Sequence, residues 1–273
     1  MRIRFWGVRG SIACPGPETI RYGGNTPCIE VHCGDHVLIF DAGTGLRPLG
    51  NALVKNMKTR SIDIFLTHCH LDHVTGLPFF APFFLDGYKI RIWAGNLKPE
   101  GSSVEQVMRK IMSSPLFPVE VEIFRADIEY HDFNSGDVLR PYDGVTLRTA
   151  PLDHPDGASG YRLEYGGRVF SLISDTSGFP GARDADLASL ARDADLIVYD
   201  STFDDAELAA RPGWGHSSWS CGIRLANAAK AKQLCLFHHD PSHDDEFMDA
   251  LAADANDARP GTITAREGQI IDL

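Results

Sequence analysis

The chain has 273 residues, of which 43% are hydrophobic and 23% charged, with a formal net charge of −11. That length buries a core without staples, and that composition excludes a disordered, collagenous or coiled-coil chain. The acidic balance argues against sequence-independent binding of long nucleic acid, so an anionic substrate needs a local positive centre. In chain order, short apolar runs bounded by Gly, Pro, Asn or Asp predict strands at RIRFWG, CIEVHCG, HVLIFDAG, IDIFLTH, KIRIWAG, VEVEIF (119–124), VTLRTAPL, YRLEYGG, RVFSLISD, DLIVYDS, QLCLFHHD and TITA. Gly166-Gly167 predicts a tight hairpin between two of them. Helical spacing covers roughly 46–56, 101–113, 184–192, 217–231 and 243–256, and Ser217 or Ser218 is placed to cap the fourth.

Strands with helices interspersed in both halves predict sheets covered by helices, and the absence of a long linker or a short repeat predicts one domain over residues 1–273. The six cysteines form no CxxC pair and read as reduced thiols. MRIRFWGVRG is too broken by Arg2, Arg4 and Arg9 to be the apolar region of a signal peptide, and no apolar run spans a bilayer. A soluble cytoplasmic protein is therefore expected. LPFFAPFFLDGY (77–88) reads as a buried connection, an active-site wall or an interface, and it makes a homodimer plausible.

The strongest chemical signal is THCHLDH, which sets His68, His70, Asp72 and His73 directly after a predicted strand. In an extended segment His68 and His70 point the same way and reach one cation, while Asp72 and His73 serve a second. Imidazoles with a carboxylate suit zinc or a similar divalent ion, with manganese or iron as alternatives. This quartet cannot fill two coordination spheres, and His154, Asp175 and His238, each just after a predicted strand, are the candidates to complete them.

THCHLDH, together with LIFDAGTG, SDTSG and FHHD, resembles the metallo-β-lactamase superfamily over nearly the whole chain. The resemblance implies an α/β fold, a four-layer αββα sandwich with a dinuclear centre at one edge. It implies His68, His70 and His154 on a first metal, Asp72, His73 and His238 on a second, and Asp175 between them. Asp41 would support the metal loop. The flavodiiron type has Glu in place of His70 and a flavin domain for which there is no length. The common dizinc β-lactamases have Cys in place of Asp175. Capped nucleases need far more than the 62 residues between Asp175 and His238.

GWGHSSWSCGIRLANAAKAKQLCLFHHDP is similar to the phosphodiesterase branch, which includes tRNA 3′-processing endonucleases and small phosphonate-pathway and cyclic-nucleotide phosphodiesterases. By that match His216 is the proton donor to the leaving oxygen, a task suited to a group that titrates near neutrality. The implied reaction is in-line attack on phosphorus by hydroxide held between two cations, with Asp72 also orienting the nucleophile. Arg9, Ser11, Asn25 and Thr26 lie in a GGNT-containing loop at the mouth, where Arg9 is a candidate contact to substrate phosphate. His239 is expected behind the metals and His243 as a helix cap, while His32, His36 and His131 have no partner at metal spacing.

The leading expectation is a dinuclear phosphodiesterase acting on a small phosphodiester such as a cyclic nucleotide. The acidic surface and the absence of a basic, Gly/Pro-rich arm before His154 speak against tRNA processing. A thioester or lactone hydrolase would keep the same metals without needing His216. A binding module without catalysis would not need an open hydrolytic site.

Overall fold

In a computed structural model that describes residues 1–56 and 60–273, the chain builds two seven-stranded sheets. The first contains β1 (Arg2–Gly7), β2 (Cys28–Cys33), β3 (His36–Phe40), β4 (Ser61–Leu66), β5 (Lys89–Ala94), β6 (Asp127–Asp132) and β14 (Ile270–Asp272), in the order β14-β1-β2-β3-β4-β5-β6. The second contains β7 (Val138–Tyr142), β8 (Val145–Leu152), β9 (Ala158–Tyr165), β10 (Arg168–Ile173), β11 (Leu196–Asp200), β12 (Gln233–Phe237) and β13 (Ile263–Thr264), in consecutive order. Each sheet repeats one pattern: three antiparallel pairings, from β14 to β3 and from β7 to β10, then three parallel ones.

The helices are α1 (Leu46–Asn56), α2 (Leu71–Val74), α3 (Val104–Ile111), α4 (Asp184–Ala191), α5 (Asp205–Ala210), α6 (Trp219–Ala228) and α7 (Asp245–Ala258). Alternation along the strands sends side chains to two different cores. Ile62, Ile64 and Leu66 of β4 pack outward with Leu46, Leu49 and Met108 of α1 and α3. Phe65 turns inward to meet Phe40, Tyr161 and Phe170 between the sheets. On the far side, Ile197 and Tyr199 pack with Leu187, Ile223 and Met248 of α4, α6 and α7. The layers are therefore helix, sheet, sheet and helix, the expected αββα sandwich. Among the described residues no helix is long and apolar enough to cross a membrane.

The Gly166-Gly167 hairpin joins β9 to β10 with both glycines at positive φ, and Ser218 caps α6 by accepting from the Cys221 N–H. VEVEIF is not a strand: Val121–Ile123 form a 3-10 turn. Its alternation breaks off after Val121: Val119, Val121 and Phe124 reach the core, while Ile123, the next alternate position, stays 47% exposed. The edge position goes to β6, whose charged residues hide its period. LPFFAPFF folds as two 3-10 turns that bury Phe80 and Phe83, half-bury Phe84 and expose Phe79, and so is mainly a buried connection. His32, His36 and His131 all lie on strands, with His36 stacked on Tyr142 and His131 on Trp93.

Candidate metal centre

The C-terminal ends of β3, β4, β10, β11 and β12 meet at one edge of the sandwich, where parallel strands deliver their following residues to a common place. Asp41, Asp175 and His238 each lie just beyond a strand end in the left-handed region, at φ 61°, 61° and 63°. Non-glycine residues adopt that conformation at a cost, and three of them clustered at one edge mark a built site. Gly10 makes room there, since a Cβ on it would sit 2.4 Å from the His238 ring.

Four sets of donors converge so that their ligand atoms lie within 4.8 Å of one another: His68, His70 and His154; Asp72, His73 and His238; His68, His73 and Asp175; and Asp175, Asp200, His216 and His238. The structure thus brings all seven residues expected as ligands together, with His216 beside them. Nδ1 of His70 lies 3.1 Å from Nε2 of His154. Nε2 of His238 lies 3.3 Å from Asp72 Oδ2 and 3.2 Å from Asp175 Oδ1, and Nε2 of His73 lies 3.2 Å from Asp72 Oδ2 and 3.4 Å from Asp175 Oδ2.

The far side of each ring fixes which nitrogen is free. Thr67 gives its hydroxyl proton to Asp41 (3.0 Å) and so accepts from Nδ1 of His68 (3.1 Å). Asp41 accepts from Nδ1 of His73 at 3.0 Å. Thr202 gives its proton to Asp200 (2.7 Å) and accepts from Nδ1 of His238 (3.0 Å), and Nδ1 of His154 donates to the Gly215 carbonyl at 2.8 Å. The buried Nε2 atoms of His68 and His73 are left without a hydrogen-bond partner. Buried imidazole nitrogens that have no hydrogen-bond partner and face buried carboxylates are the donor set of a divalent cation, which would take the place of a proton there, and a nitrogen-rich set suits zinc. The residues present therefore fit the group that the fold implies.

Burial opposes ionisation of Asp72, yet the charge that the surrounding carboxylates favour on His73, together with the hydrogen bond from His238, outweighs it and holds the carboxyl below its ordinary range. The same contest holds Asp175 low through His238 and His73. Burial and the charge of His73 push His68 well down, and burial pushes His154 down, which keeps both neutral as donors. His238 goes the other way: burial opposes its charge, but Asp175, Asp72 and Asp200 raise it to about 9.

His216 stacks at 5.0 Å from the His238 ring and donates Nδ1–H to Asp200 Oδ2 at 3.0 Å. Asp200 is a hub that the sequence reading missed. It also accepts from the Asp175, Thr202 and Ser217 N–H groups, so one buried carboxylate ties β10, β11 and the entry to α6. Thr67, Thr202 and Asp156, whose Oδ2 lies 3.3 Å from His70 Nε2, were missed as well. The available signal was position, because each stands beside a strand end or beside a residue already singled out.

Two mouth expectations are corrected. Arg9 is fully buried, donating Nε–H to the Gly23 carbonyl and Nη1–H to the Asp240 and His243 carbonyls, so it braces loops instead of meeting substrate. His243 is not a cap: Asp244 caps α7, and His243 pairs with Glu207. Ser11 contributes its backbone N–H to Asp72 Oδ2 (2.8 Å), while Asn25 and Thr26 bond Thr44 and hold the loop after β3. His239 lies behind the cluster, its Nε2–H on the Ala265 carbonyl, with burial pushing it down to about 3.

Residues 36–239 match the family model described as the beta-lactamase superfamily domain. The chain is 24% identical to a ribonuclease Z of Pediococcus pentosaceus over 88% of this chain and 89% of that protein. Among solved structures, zinc-bound PqqB from Methylobacterium extorquens superposes with a TM-score of 0.72 at 15% identity and full coverage of both chains. A diphosphatase of the PhnP family superposes with a TM-score of 0.70 at 18% identity, covering 100% of this chain and 97% of that one. With the family model spanning most of the sandwich and the His/Asp cluster standing at its edge, the chain belongs to the β-lactamase superfamily and is a hydrolase of that family.

Proposed function

We propose that this chain is a dinuclear metallophosphodiesterase that cleaves a small phosphodiester, with a cyclic nucleotide as its kind of substrate. His68, His70 and His154 would hold one divalent cation and Asp72, His73 and His238 a second, with Asp175 between them; zinc suits these donors. The cations supply a nucleophile at neutral pH and offset charge on the phosphoryl oxygens. The observation that carries the reading is His216, held by the buried Asp200 and stacked against His238. With Nδ1–H committed to Asp200, Nε2 is the nitrogen left to protonate a departing alkoxide, a task that an ester with a good leaving group does not require. Asp72, fixed by the Ser11 N–H, orients the attacking group.

The ribonuclease Z relatives favour tRNA 3′ processing as the second reading. Against it, the elements between α2 and β8 pack down on the body: Leu77, Phe83, Val104, Met108 and Val121 all enter the outer core, and no protruding arm appears among the described residues. The net charge of −11 also disfavours a long polyanion. The same reading takes residues 1–273 as one domain working in the cytoplasm. The test is a panel of 2′,3′- and 3′,5′-cyclic nucleotides, bis(p-nitrophenyl) phosphate, a thioester and pre-tRNA with zinc- or manganese-loaded protein. Turnover of the cyclic nucleotides and the synthetic diester is expected. Trimming of pre-tRNA, or thioester hydrolysis, without diester cleavage would overturn the reading.

A further inference from the structure

Of the large apolar side chains that the surface exposes, three stand within two residues of a group at the candidate metal centre. Ile12 follows Ser11, Leu71 lies between His70 and Asp72, and Trp214 comes two residues before His216. Trp214 is the informative one. Gly213 and Gly215 flank it in the left-handed region, at φ 80° and 78°, where a glycine is the residue at ease. The second glycine is pinned to the centre: its carbonyl accepts from His154 Nδ1 at 2.8 Å, and a Cβ on it would lie 2.4 Å from that same nitrogen. The turn thus fixes an indole beside a histidine of the cluster. Rings connect it inward, with the Trp214 centroid 6.5 Å from that of Phe203, Phe203 5.8 Å from His216, and His216 5.4 Å from His154. Phe203 is buried, but Trp214 is 61% exposed. The Arg211 guanidinium lies over both rings, 4.9 Å from the Phe203 centroid and 5.9 Å from that of Trp214, and braces the indole from one side.

Tryptophan is among the largest apolar side chains, and folding gains little from one left in water. An exposed, braced indole two ring contacts from a reactive centre, on a mouth whose other segments also expose apolar side chains, is placed for a ligand. Resting on the phosphodiesterase reading above, we propose that Trp214 is the platform on which the base of the substrate nucleotide stacks while its phosphate meets the histidine cluster. The sugar spans the interval that Phe203 marks. A π-face accepts every base, so this contact selects by the area of the ring and not by its pattern of donors and acceptors. Purines gain more than uracil, and adenine and hypoxanthine gain alike.

The experiment measures competitive inhibition of bis(p-nitrophenyl) phosphate hydrolysis by adenosine, inosine and uridine 5′-monophosphates and by ribose 5-phosphate, using metal-loaded full-length protein. Both purine compounds are expected to inhibit about tenfold more tightly than ribose 5-phosphate and to agree within about twofold, with the uridine compound in between. Trp214→Ala is expected to bring the four inhibition constants together by weakening the nucleotides. Trp214→Phe, which keeps a smaller ring, is expected to retain a purine preference of about threefold. Ribose 5-phosphate is the internal reference, because it meets the centre without a base. Equal inhibition by all four compounds in the unaltered protein, a purine preference that survives Trp214→Ala, or equal weakening of all four in that variant overturns the proposal. If the unaltered protein hydrolyses no phosphodiester, the phosphodiesterase reading falls, and calorimetric binding of the same four compounds to the unaltered protein and to Trp214→Ala still decides whether the indole holds a base.

Discussion

Asp41 and Asp175 occupy the same place in two copies of one strand pattern, each ending the strand where antiparallel pairing gives way to parallel, each at φ 61°. Their partners differ in kind. Asp41 accepts from the Thr67 N–H and hydroxyl and from Nδ1 of His73, so its oxygens are met by protons. Asp175 takes one hydroxyl proton, from Ser174, but otherwise faces the other nitrogen of the same His73 ring and Nε2 of His238. One carboxylate lies behind an imidazole and orients it; the other lies in front, where only a proton or a cation can stand between the two. The backbone device is shared, and the atoms opposite decide the role.

That contrast can be broken most directly at Asp175. Asp175→Asn is expected to lower phosphodiester turnover by more than about 1,000-fold, because it removes the anion that would stand between two cations in the proposed centre. Steady-state kinetics beside metal analysis checks it, and full activity in the variant would place Asp175 with Asp41. His216→Ala should cost about 100- to 10,000-fold on an alkoxide leaving group and much less on p-nitrophenolate, which departs unprotonated. Equal losses on both substrates would remove the proton-donor role.

The contrast also has a pH signature in chelated protein. The folded-state value of His238 is raised to about 9, with burial opposing and Asp175 chief among the groups raising it. A raised value means stability that is fully present below the unfolded value near 6.5 and lost as pH rises through about 9. The loss is on the order of 3 kcal/mol by linkage. Denaturant unfolding of the metal-free chain should therefore weaken across that window. A flat profile would mean that Asp175 does not face His238 as drawn. The smallest effect is expected at Asp41: Asp41→Asn keeps the metals but loosens the orientation of His73 and Thr67, weakening metal affinity about 10- to 100-fold in a chelator competition.

Much of this was legible in the sequence because local rules and tertiary demands coincide. RIRFWG and VTLRTAPL are strands over the expected bounds, and LRPLGNALVKN is α1. THCHLDH announces its chemistry through density alone, and the spaced His154, Asp175 and His238 become readable once strand ends are taken as one edge. Asp200 escaped because a lone carboxylate after DLIVY looks like any polar strand terminus, and four of its partners, Asp175, Thr176, His216 and Ser217, are distant in sequence. Arg9 misled for the opposite reason. Its Gly-rich surroundings suggest an open mouth, yet those glycines let loops close over it, and two of its guanidinium nitrogens, Nε and Nη1, donate to backbone carbonyls.

The central claim is that buried nitrogens without protein partners and the carboxylates facing them form a two-cation site. Elemental analysis of chain purified without chelator, paired with activity before and after metal removal, tests it most directly. Two equivalents of divalent metal per chain, with activity lost on removal and restored on return, is the predicted result. A chain that carries no metal and hydrolyses phosphodiesters undiminished in chelator would contradict it.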